Sequence, residues 1–196
     1  MAFQNQISIT SLTGTGSTSL FKVLQEKLKG EPYRWFSGGE LFRARGAELG
    51  MSVGQFAAHC LEHPEEEHDR WVDETIQNHA QADWMICESR RAHFSMPHAF
   101  KVLLECHIVM RAMRRHRDQK HLSLLQVRRE IEERDRNDIR RYASLYPGCL
   151  WESKRFDLII DTAEGEPPQL AEILLSQHER WIARMSQLQP AHAAAP

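Results

Sequence analysis

The sequence has no strong net charge, no closely spaced cysteine pair and no long apolar run. Its 25 basic and 27 acidic residues give a formal net charge of -2, which excludes a global basic field for holding nucleic acid. The four cysteines form no C-x-x-C pair and no zinc-type spacing, which favours a reducing compartment. No segment approaches the ~20 apolar residues of a membrane helix, and the opening MAFQNQ lacks a signal peptide's apolar region. We therefore expect a cytoplasmic protein that binds neither membranes nor nucleic acid.

The length and the order of apolar segments predict one α/β domain. The chain has 196 residues, enough to bury a sizeable core. Short apolar segments near residues 7–10, 33–36, 84–87, 101–106 and 156–161 are typical of buried strands, and amphipathic helical segments separate them. This alternation predicts a five-stranded parallel sheet flanked by helices on both faces, with ligands bound beyond the carboxyl ends of the strands.

The segment 7–20, ISITSLTGTGSTSL, has the order strand, glycine turn, helix. Backbone N–H groups of such a turn face one concavity, and the following helix directs its positive dipole end there, which creates an anion site. The phosphate-binding pattern G-x-x-x-x-G-K-[ST] is matched in part. Gly16 and Thr18 fit, whereas Ser11 and Ser17 replace the first glycine and the lysine. Taken alone, the segment is as typical of an ordinary strand-to-helix loop as of a phosphate cradle.

Arginines follow the ends of the second, third and fourth predicted strands, and more arginines share one face of a long predicted helix. They are Arg43, Arg90 and Arg111 after the strands, with Arg134 and Arg141, next to Asp138, on the helix between Ser123 and about Leu145. Arginine stays charged and binds phosphate oxygens through two parallel hydrogen bonds. The sequence therefore predicts a site for more than one phosphate group at the carboxyl edge of the sheet.

Each of these features also has a purely structural interpretation. Ser37, Ser52 and Ser123 each precede a Glu or Gln by three residues, the spacing of a helix capping box. The helix around Arg134 carries acidic residues one turn away, as an ion-paired surface helix would. Like charges at positions 136 and 140 disfavour a purely stabilising design, so an arginine-dense helix that meets an anion explains the pattern better.

Four residues near a proline could suggest a metal site: His59, His63, Glu67 and His68. Pro64 interrupts the helix between them and begins another helix with acidic residues in its first turn. We therefore expect the facing geometry to be lost and interpret these side chains as surface residues.

In the order and spacing of its motifs, over about residues 6–176, the chain resembles the P-loop nucleoside monophosphate kinases, and within them the archaeal-type cytidylate kinases. ITSLTGTGSTS resembles that family's ISG-x-PGSGTTT loop, which has threonine in place of lysine. Ser37-Gly-Gly-Glu-Leu-Phe-Arg43 resembles SAGE-(I/L)-FR, and Glu88-Ser89-Arg90 resembles EGR. The other matching segments are GMS at 50–52, Asp69 with Asp73, Arg111-Ala112 with Arg114, the lid pattern Arg134, Arg141, Tyr142 and Tyr146, and the closing strand from Asp157 to Thr162.

The resemblance implies transfer of the γ-phosphoryl group of ATP to a nucleoside monophosphate, expected to be CMP or dCMP, with Mg²⁺ as cofactor. The implied ATP-binding residues are Leu12, Thr13, Gly14, Thr15, Gly16, Ser17, Thr18, Ser19 and Arg111. The implied acceptor-binding residues are Ser37, Gly39, Arg43, Arg90 and Asp69. The implied metal-binding residues are Thr18 and Glu88, and the implied catalytic residues are Arg134, Arg141 and Ser17. Small-molecule nucleotides are then the expected partners, and the oligomeric state stays open.

The resemblance also implies a division of the chain. We expect a P-loop kinase-like domain over 1–186, with a helical acceptor-binding insert at about 37–82, an arginine-rich lid at about 117–147 and a disordered tail over 187–196. Ser11 and Ser89 replace family glycines, and Thr13 replaces a proline. These departures motivate an alternative, a nucleotide-binding regulatory protein without kinase activity. A kinase for another small acceptor, such as a nucleoside or a shikimate-like molecule, is a further alternative.

Overall fold

Five short strands form one parallel sheet in the order β2-β3-β1-β4-β5. The computed structural model describes residues 5–146 and 152–188. The strands are β1 (Gln6–Ser11), β2 (Arg34–Ser37), β3 (Met85–Glu88), β4 (Phe100–Glu105) and β5 (Leu158–Asp161). In the register, Ile9 of β1 lies beside Glu88 of β3 and Val102 of β4. The predicted five-stranded parallel sheet is therefore confirmed.

Eight α-helices lie in the described ranges: α1 (Ser17–Lys27), α2 (Gly38–Glu48), α3 (Val53–Glu62), α4 (His68–His79), α5 (Ala92–Ser95), α6 (Ile108–Asp118), α7 (Leu124–Leu145) and α8 (Pro167–Leu188). Short 3₁₀ turns occupy Pro64–Glu66, Ser153–Arg155 and Thr162–Glu164. In chain order, α2, α3 and α4 lie between β2 and β3, and α6 and α7 lie between β4 and β5. The insert and lid expected from the resemblance correspond to these two intervals, and their status as separate units stays a prediction.

The three serine caps occur where the sequence indicates them. Ser52 and Ser123 form complete capping boxes with the Gln three residues later. The hydroxyl of Ser37 accepts a hydrogen bond from the N–H of Glu40 at 3.2 Å. Each cap satisfies an N–H group that has no partner inside the helix, so these three helix starts are encoded locally.

The helix expected to start at Pro64 is two elements instead. A 3₁₀ turn covers Pro64–Glu66, Glu67 adopts the left-handed conformation with φ 53°, and α4 starts at His68. Left-handed backbone cannot continue a right-handed helix, so the chain turns at Glu67. At the carboxyl end, α8 continues to Leu188, past the start of the expected tail, and residues 189–196 lie outside the described residues.

The core lies on both faces of the sheet because strand side chains alternate. Ile7, Ile9 and Ile86 face a cluster formed with α1 and α8. Met85 and Cys87 face the other cluster, which contains apolar side chains from α4 and α5. The sheet is thus a middle layer between helices, and its carboxyl edge stays accessible. Within the described ranges, no helix combines the length and apolar character needed to cross a membrane.

The packing of α2 on α3 depends on residue 46 being glycine, which has no side chain. A Cβ atom placed there would lie 2.9 Å from the Cβ of Phe56, which is fully buried. We expect Gly46→Ala to lower the free energy of unfolding by about 1–3 kcal/mol, because the packed ring cannot yield without strain. Gly54→Ala is the matched control, since its Cβ would meet nothing within 4 Å, and it should leave stability unchanged or raise it by up to ~1 kcal/mol. Urea unfolding measures both, and an equal effect of the two variants would contradict the packing argument.

Candidate active site

The ends of β1, β2 and β3 meet at one edge of the sheet, as parallel pairing requires. A cavity of about 690 Å³ opens there. Its lining combines the glycine loop after β1, the start of α2, the residues after β3 and one face of α7. The arginines of the sequence prediction that line it are Arg43, Arg90, Arg134 and Arg141. The structure therefore brings these four guanidinium groups to the same opening as the glycine loop.

The loop between β1 and α1 needs glycine at two positions. Gly14 has φ 77° and Gly16 has φ 95°, a region that residues with a Cβ rarely adopt. Gly16 is the N-cap of α1, and no side chain caps this helix start. Ser11, which replaces a family glycine, is the last residue of β1 and has no positive φ, so its side chain does not strain the turn.

Arginine side chains bind the loop's carbonyl groups. Arg90 donates to the Ser11 carbonyl at 2.5 Å and to the Thr13 hydroxyl at 2.5 Å. Arg111 donates to the Thr13 carbonyl at 2.9 Å, and Arg114 donates to the Thr15 carbonyl at 3.3 Å. Hydrogen bonds from charged donors are stronger than neutral ones, so these bonds fix the conformation of the loop.

This arrangement leaves the loop's N–H groups available. In the described part of the chain, the N–H groups of Gly14, Gly16, Ser17, Thr18 and Ser19 donate to no acceptor. Gly14, Ser17 and Thr18 line the cavity. Unpaired N–H groups at the positive end of a helix are suited to bind an anion. The loop can therefore hold phosphate groups without a lysine.

Two of the cavity arginines are bound to buried carboxylates. Arg141 contacts Asp69 at 2.6 Å and Asp138 at 3.1 Å. The second carboxylate oxygen of Asp138 accepts from Arg90 at 3.0 Å. Since all four side chains are at most 17% exposed, this chain of ion pairs is desolvated, and removing one member would leave a buried charge uncompensated. It connects α4, α7 and the residues after β3.

Arg134 differs from these arginines because its guanidinium group forms no hydrogen bond or ion pair with any residue in the described ranges. It is partly buried and lines the cavity. Burial and the nearby charge of Arg90 lower its pKa, against a smaller opposite effect of Asp138. Excess positive charge therefore collects at this point, and a bound anion would relieve it.

Glu88 ends β3 beside the glycine loop and is 8% exposed. Its Oε1 accepts a hydrogen bond from the Ser37 hydroxyl at 3.0 Å. Thr18, at the start of α1, is exposed and lines the same cavity as Glu88. A carboxylate and a hydroxyl are oxygen ligands of the kind that Mg²⁺ prefers, so the two residues present fit such an ion.

No family model matches this chain. Among curated proteins, it is 31% identical to the cytidylate kinase of Thermococcus sibiricus over 162 residues, which cover 82% of this chain and 81% of the relative. It is 28% identical to the cytidylate kinase of Methanosarcina acetivorans over 172 residues, covering 86% and 93%. The chain belongs to the cytidylate kinase family.

Solved structures with the same fold include kinases. A gluconokinase from Sinorhizobium meliloti superimposes with a TM-score of 0.61 at 15% identity, covering 97% of this chain and 100% of that one. A shikimate kinase from Acinetobacter baumannii superimposes with a TM-score of 0.54 at 14% identity, covering 88% and 91%. These likenesses support the fold assignment of this member of the cytidylate kinase family.

Most predicted site residues line the cavity: Leu12, Thr13, Gly14, Ser17, Thr18, Gly39, Arg43, Asp69, Glu88, Arg90, Arg134 and Arg141. Thr15, Gly16 and Ser19 belong to the same loop and helix start but do not line it. Ser37 reaches the site through Glu88. Arg111 is 7% exposed and lies behind the loop, so its expected contact with adenine stays a prediction.

Asp135, which organises the back of the loop, was not predicted from the sequence. One carboxylate oxygen accepts from Arg111 at 2.6 Å and the other from the Thr13 N–H at 3.3 Å. Phe42 lines the cavity and was not predicted either, whereas Arg115, which also lines it, is one of the arginines that follow the fourth predicted strand. The signal for Asp135 is its i, i+3 spacing with Asp138 on an arginine-rich helix, which gives the two carboxylates the same face.

At two neighbouring positions that depart from the family pattern, one residue has lost a side chain where the other has gained one. Gly38 stands where the resembling SAGE pattern has alanine, and Ser89 stands where EGR has glycine. A Cβ atom on residue 38 would lie 2.7 Å from the Ser89 Cβ and would also overlap its hydroxyl. The two positions therefore share one space, which holds a single side chain beside Glu88.

This exchange predicts strong coupling between the two positions. We expect Gly38→Ala alone to lower the free energy of unfolding by about 1–3 kcal/mol through overlap with Ser89. Gly38→Ala combined with Ser89→Gly should recover most of that loss. Denaturant unfolding of the two single variants and the double variant measures the coupling energy, which should exceed about 1 kcal/mol. Additive effects within ~0.3 kcal/mol would contradict the shared space.

Proposed function

We propose that the protein transfers the γ-phosphoryl group of ATP to a nucleoside monophosphate, with CMP or dCMP as the preferred acceptor. The observation that carries the proposal is the shared cavity. Unpaired N–H groups of the glycine loop and the guanidinium groups of Arg43, Arg90, Arg134 and Arg141 border the same space. Family membership supports the same reaction, since the relatives are named cytidylate kinases.

On the donor side, the loop from Leu12 to Ser19 would hold the ATP phosphates. The reason is electrostatic, because its free N–H groups and the dipole of α1 favour negative charge at this position. Ser17 would donate its hydroxyl to a phosphate oxygen in place of the usual lysine. Arg111 would lie against the adenine, which requires the base to approach the outer side of the loop.

Mg²⁺ would be held through the Thr18 hydroxyl and waters oriented by Glu88. When bound, the ion would neutralise charge on the donor phosphates. The hydrogen bond from Ser37 to Glu88 supports this assignment, because it fixes the carboxylate beside the loop.

On the acceptor side, Arg43, Arg90, Ser37 and Gly39 would bind the monophosphate. Arginines on this side favour an acceptor that already carries a phosphate over a bare nucleoside or a sugar acid. Arg43 is exposed and lines the cavity, and it forms no ion pair with any residue of the described ranges, whereas Arg45 pairs with Glu48. Asp69 would accept a hydrogen bond from the exocyclic amino group of cytosine, a donor that uracil lacks.

Arg134 and Arg141 would stabilise the phosphoryl group during transfer and exclude water as the lid closes. An arginine that contacts the transferring group raises the rate ~10³–10⁵-fold, which corresponds to about 4–7 kcal/mol of transition-state stabilisation. A helix dipole contributes only about 1 kcal/mol. A lid arginine is therefore large enough to replace the missing lysine, and the dipole is not. Arg134 is the better placed of the two, since Arg141 is already bound to Asp69 and Asp138.

The acceptor specificity is tested by a coupled assay for ADP release with a panel of acceptors. We expect CMP and dCMP to give kcat/KM values at least about tenfold above those of UMP and AMP, since a misplaced polar group costs more than 1.4 kcal/mol. Cytidine and shikimate, which carry no phosphate, should give no turnover above background.

Other results of this panel would contradict the proposal in distinct ways. ATP binding without any acceptor-dependent ADP release would favour the regulatory alternative, in which the loop binds nucleotide only. Turnover with an unphosphorylated acceptor would favour a kinase for another small molecule.

Arg134→Ala should reduce kcat by about 10³-fold while the affinity for ATP changes less than tenfold. The reason is that its guanidinium is available for the transferring group and takes no part in holding the loop. Arg136→Ala, two residues away on the exposed side of α7, is the matched control and should keep the wild-type kcat. Steady-state kinetics with nucleotide binding by calorimetry separates the two effects, and a normal kcat for Arg134→Ala would overturn its assigned role.

A further inference from the structure

Two histidines and a glutamate converge where α3, the 3₁₀ turn and α4 meet. The Nε2 atoms of His59 and His68 lie 2.9 Å and 2.8 Å from the same oxygen, Oε2 of Glu66. None of the three residues lines the cavity of the candidate active site. The cluster is therefore separate from the residues to which the phosphoryl transfer is assigned.

The structure corrects the interpretation of His59 and His68 as surface residues that do not face each other. Pro64 ends α3 as expected, but the 3₁₀ turn and the left-handed Glu67 bring the chain back toward α3. This return directs Glu66 and His68 at His59. Of the two other residues considered in the sequence, Glu67 pairs with Arg70, and His63 pairs with Glu65 while its ring packs beside that of His59 at a centroid distance of 4.7 Å.

The donor set is suited to a transition metal. All three ligand atoms lie within 4.8 Å of one another. Imidazole nitrogen with carboxylate oxygen is a common ligand set for Zn²⁺, at about 2.0–2.2 Å from the ion. Ligand atoms in a tetrahedral site of that size are about 3.3 Å apart. The separations of 2.9 Å and 2.8 Å between the imidazole nitrogens and the Glu66 oxygen would widen by a few tenths of an ångström, and the two nitrogens lie within 4.8 Å of each other.

The surroundings hold the two rings in place and leave one side open. His68 is 7% exposed, the His59 side chain 21% and the Glu66 side chain 41%. The ring of the fully buried Phe56 contacts both imidazoles, at centroid distances of 6.5 Å from His59 and 5.1 Å from His68. Rings fixed by packing lose little entropy when a metal binds. Water can complete the coordination on the Glu66 side.

We propose that His59, Glu66 and His68 form a binding site for Zn²⁺ or a related borderline transition metal. The ion takes the Nε2 lone pairs of both imidazoles, with the ring protons on Nδ1, and one oxygen of Glu66. It links α3, which lines the cavity through Val53 and Ala57, to the start of α4, where Asp69 follows His68 directly. The metal therefore joins two walls of the acceptor side of the cavity.

The test uses the full-length protein, freed of metal with EDTA and dialysed into buffer without nucleotide. Titration with ZnCl₂ in a calorimeter should give one ion per chain. At about a hundredfold excess over Kd, the thermal midpoint should rise by about 5–10 °C. MgCl₂ should give no shift from this site, because Mg²⁺ prefers oxygen ligands and keeps its waters.

Variants separate this site from adventitious binding. His59→Ala and Glu66→Ala should each weaken Zn²⁺ binding at least about a hundredfold, as loss of a direct ligand exceeds the effect of outer residues. His121→Ala removes an exposed histidine elsewhere and should leave the Kd unchanged. His63, Glu65 and Glu66 form a second, exposed group of possible ligands next to the proposed site. His63→Ala removes the imidazole of that group and should change the Kd for Zn²⁺ less than threefold.

A cobalt spectrum tests the ligand set in the protein with all three proposed ligands intact. Cys60 follows His59 in α3, but it is buried and does not belong to the group of ligand atoms that lie within 4.8 Å of one another, so its thiol should stay outside the coordination shell. Co²⁺ should give visible absorption without a thiolate charge-transfer band, and Cys60→Ser should bind Zn²⁺ normally. Wild-type affinity in His59→Ala, or no binding of Zn²⁺ below a Kd of about 100 µM, would overturn the proposal.

Discussion

The site depends on the hydrogen bonds from guanidinium groups to the backbone of the glycine loop. Carbonyl oxygens at positions 11, 13 and 15 accept from Arg90, Arg111 and Arg114. A hydrogen bond to a charged group contributes about 1.5–3 kcal/mol, so three of them offset most of the conformational entropy, about 1–2 kcal/mol per residue, that is lost when this short loop is ordered. These carbonyls are already bonded, whereas the N–H groups of Gly14, Ser17 and Thr18, which line the cavity, donate to no acceptor in the described ranges. The same arginines thus determine the direction in which the loop can bind a ligand.

The arginines of this site are of two kinds: some are paired with carboxylates and hold the structure together, and Arg134 is not paired with a carboxylate in the described ranges. Arg90, Arg111 and Arg141 are matched by Asp138, Asp135 and Asp69. Those pairs position α7 against the loop and contribute little net field to the cavity. Arg134 has no carboxylate of its own within hydrogen-bond distance in the described ranges, and its lowered pKa reflects burial and the repulsion of neighbouring arginines. A chain of formal charge -2 can therefore present a local positive centre without a lysine in its loop.

The features that could be predicted from sequence are those with a local cause. Strand alternation, the glycines at positive φ and the serine caps each follow from a few adjacent residues. Partner choice among charged residues could not be predicted, since Arg90 and Asp138 are 48 positions apart in the chain. The turn at Glu67 was missed because nothing in a Glu side chain signals left-handed backbone, and with it the meeting of His59, Glu66 and His68 was missed. The shared space of Gly38 and Ser89 could not be predicted from the sequence either, because the two residues follow different strands and their contact is visible only in the folded structure.

The departures from the family pattern bear on whether the site is intact. Ser11 lies in extended backbone and Ser89 fills space left by Gly38, so neither distorts the loop. The buried ion pairs are informative as well. Replacing such a network by packed apolar residues is often neutral or stabilising by about 1–4 kcal/mol, so a chain with no use for an anion has little energetic reason to keep Arg90, Arg141 and their carboxylates desolvated. The proposed phosphate ligand would give these residues, the guanidinium of Arg134 and the N–H groups of the glycine loop a common function.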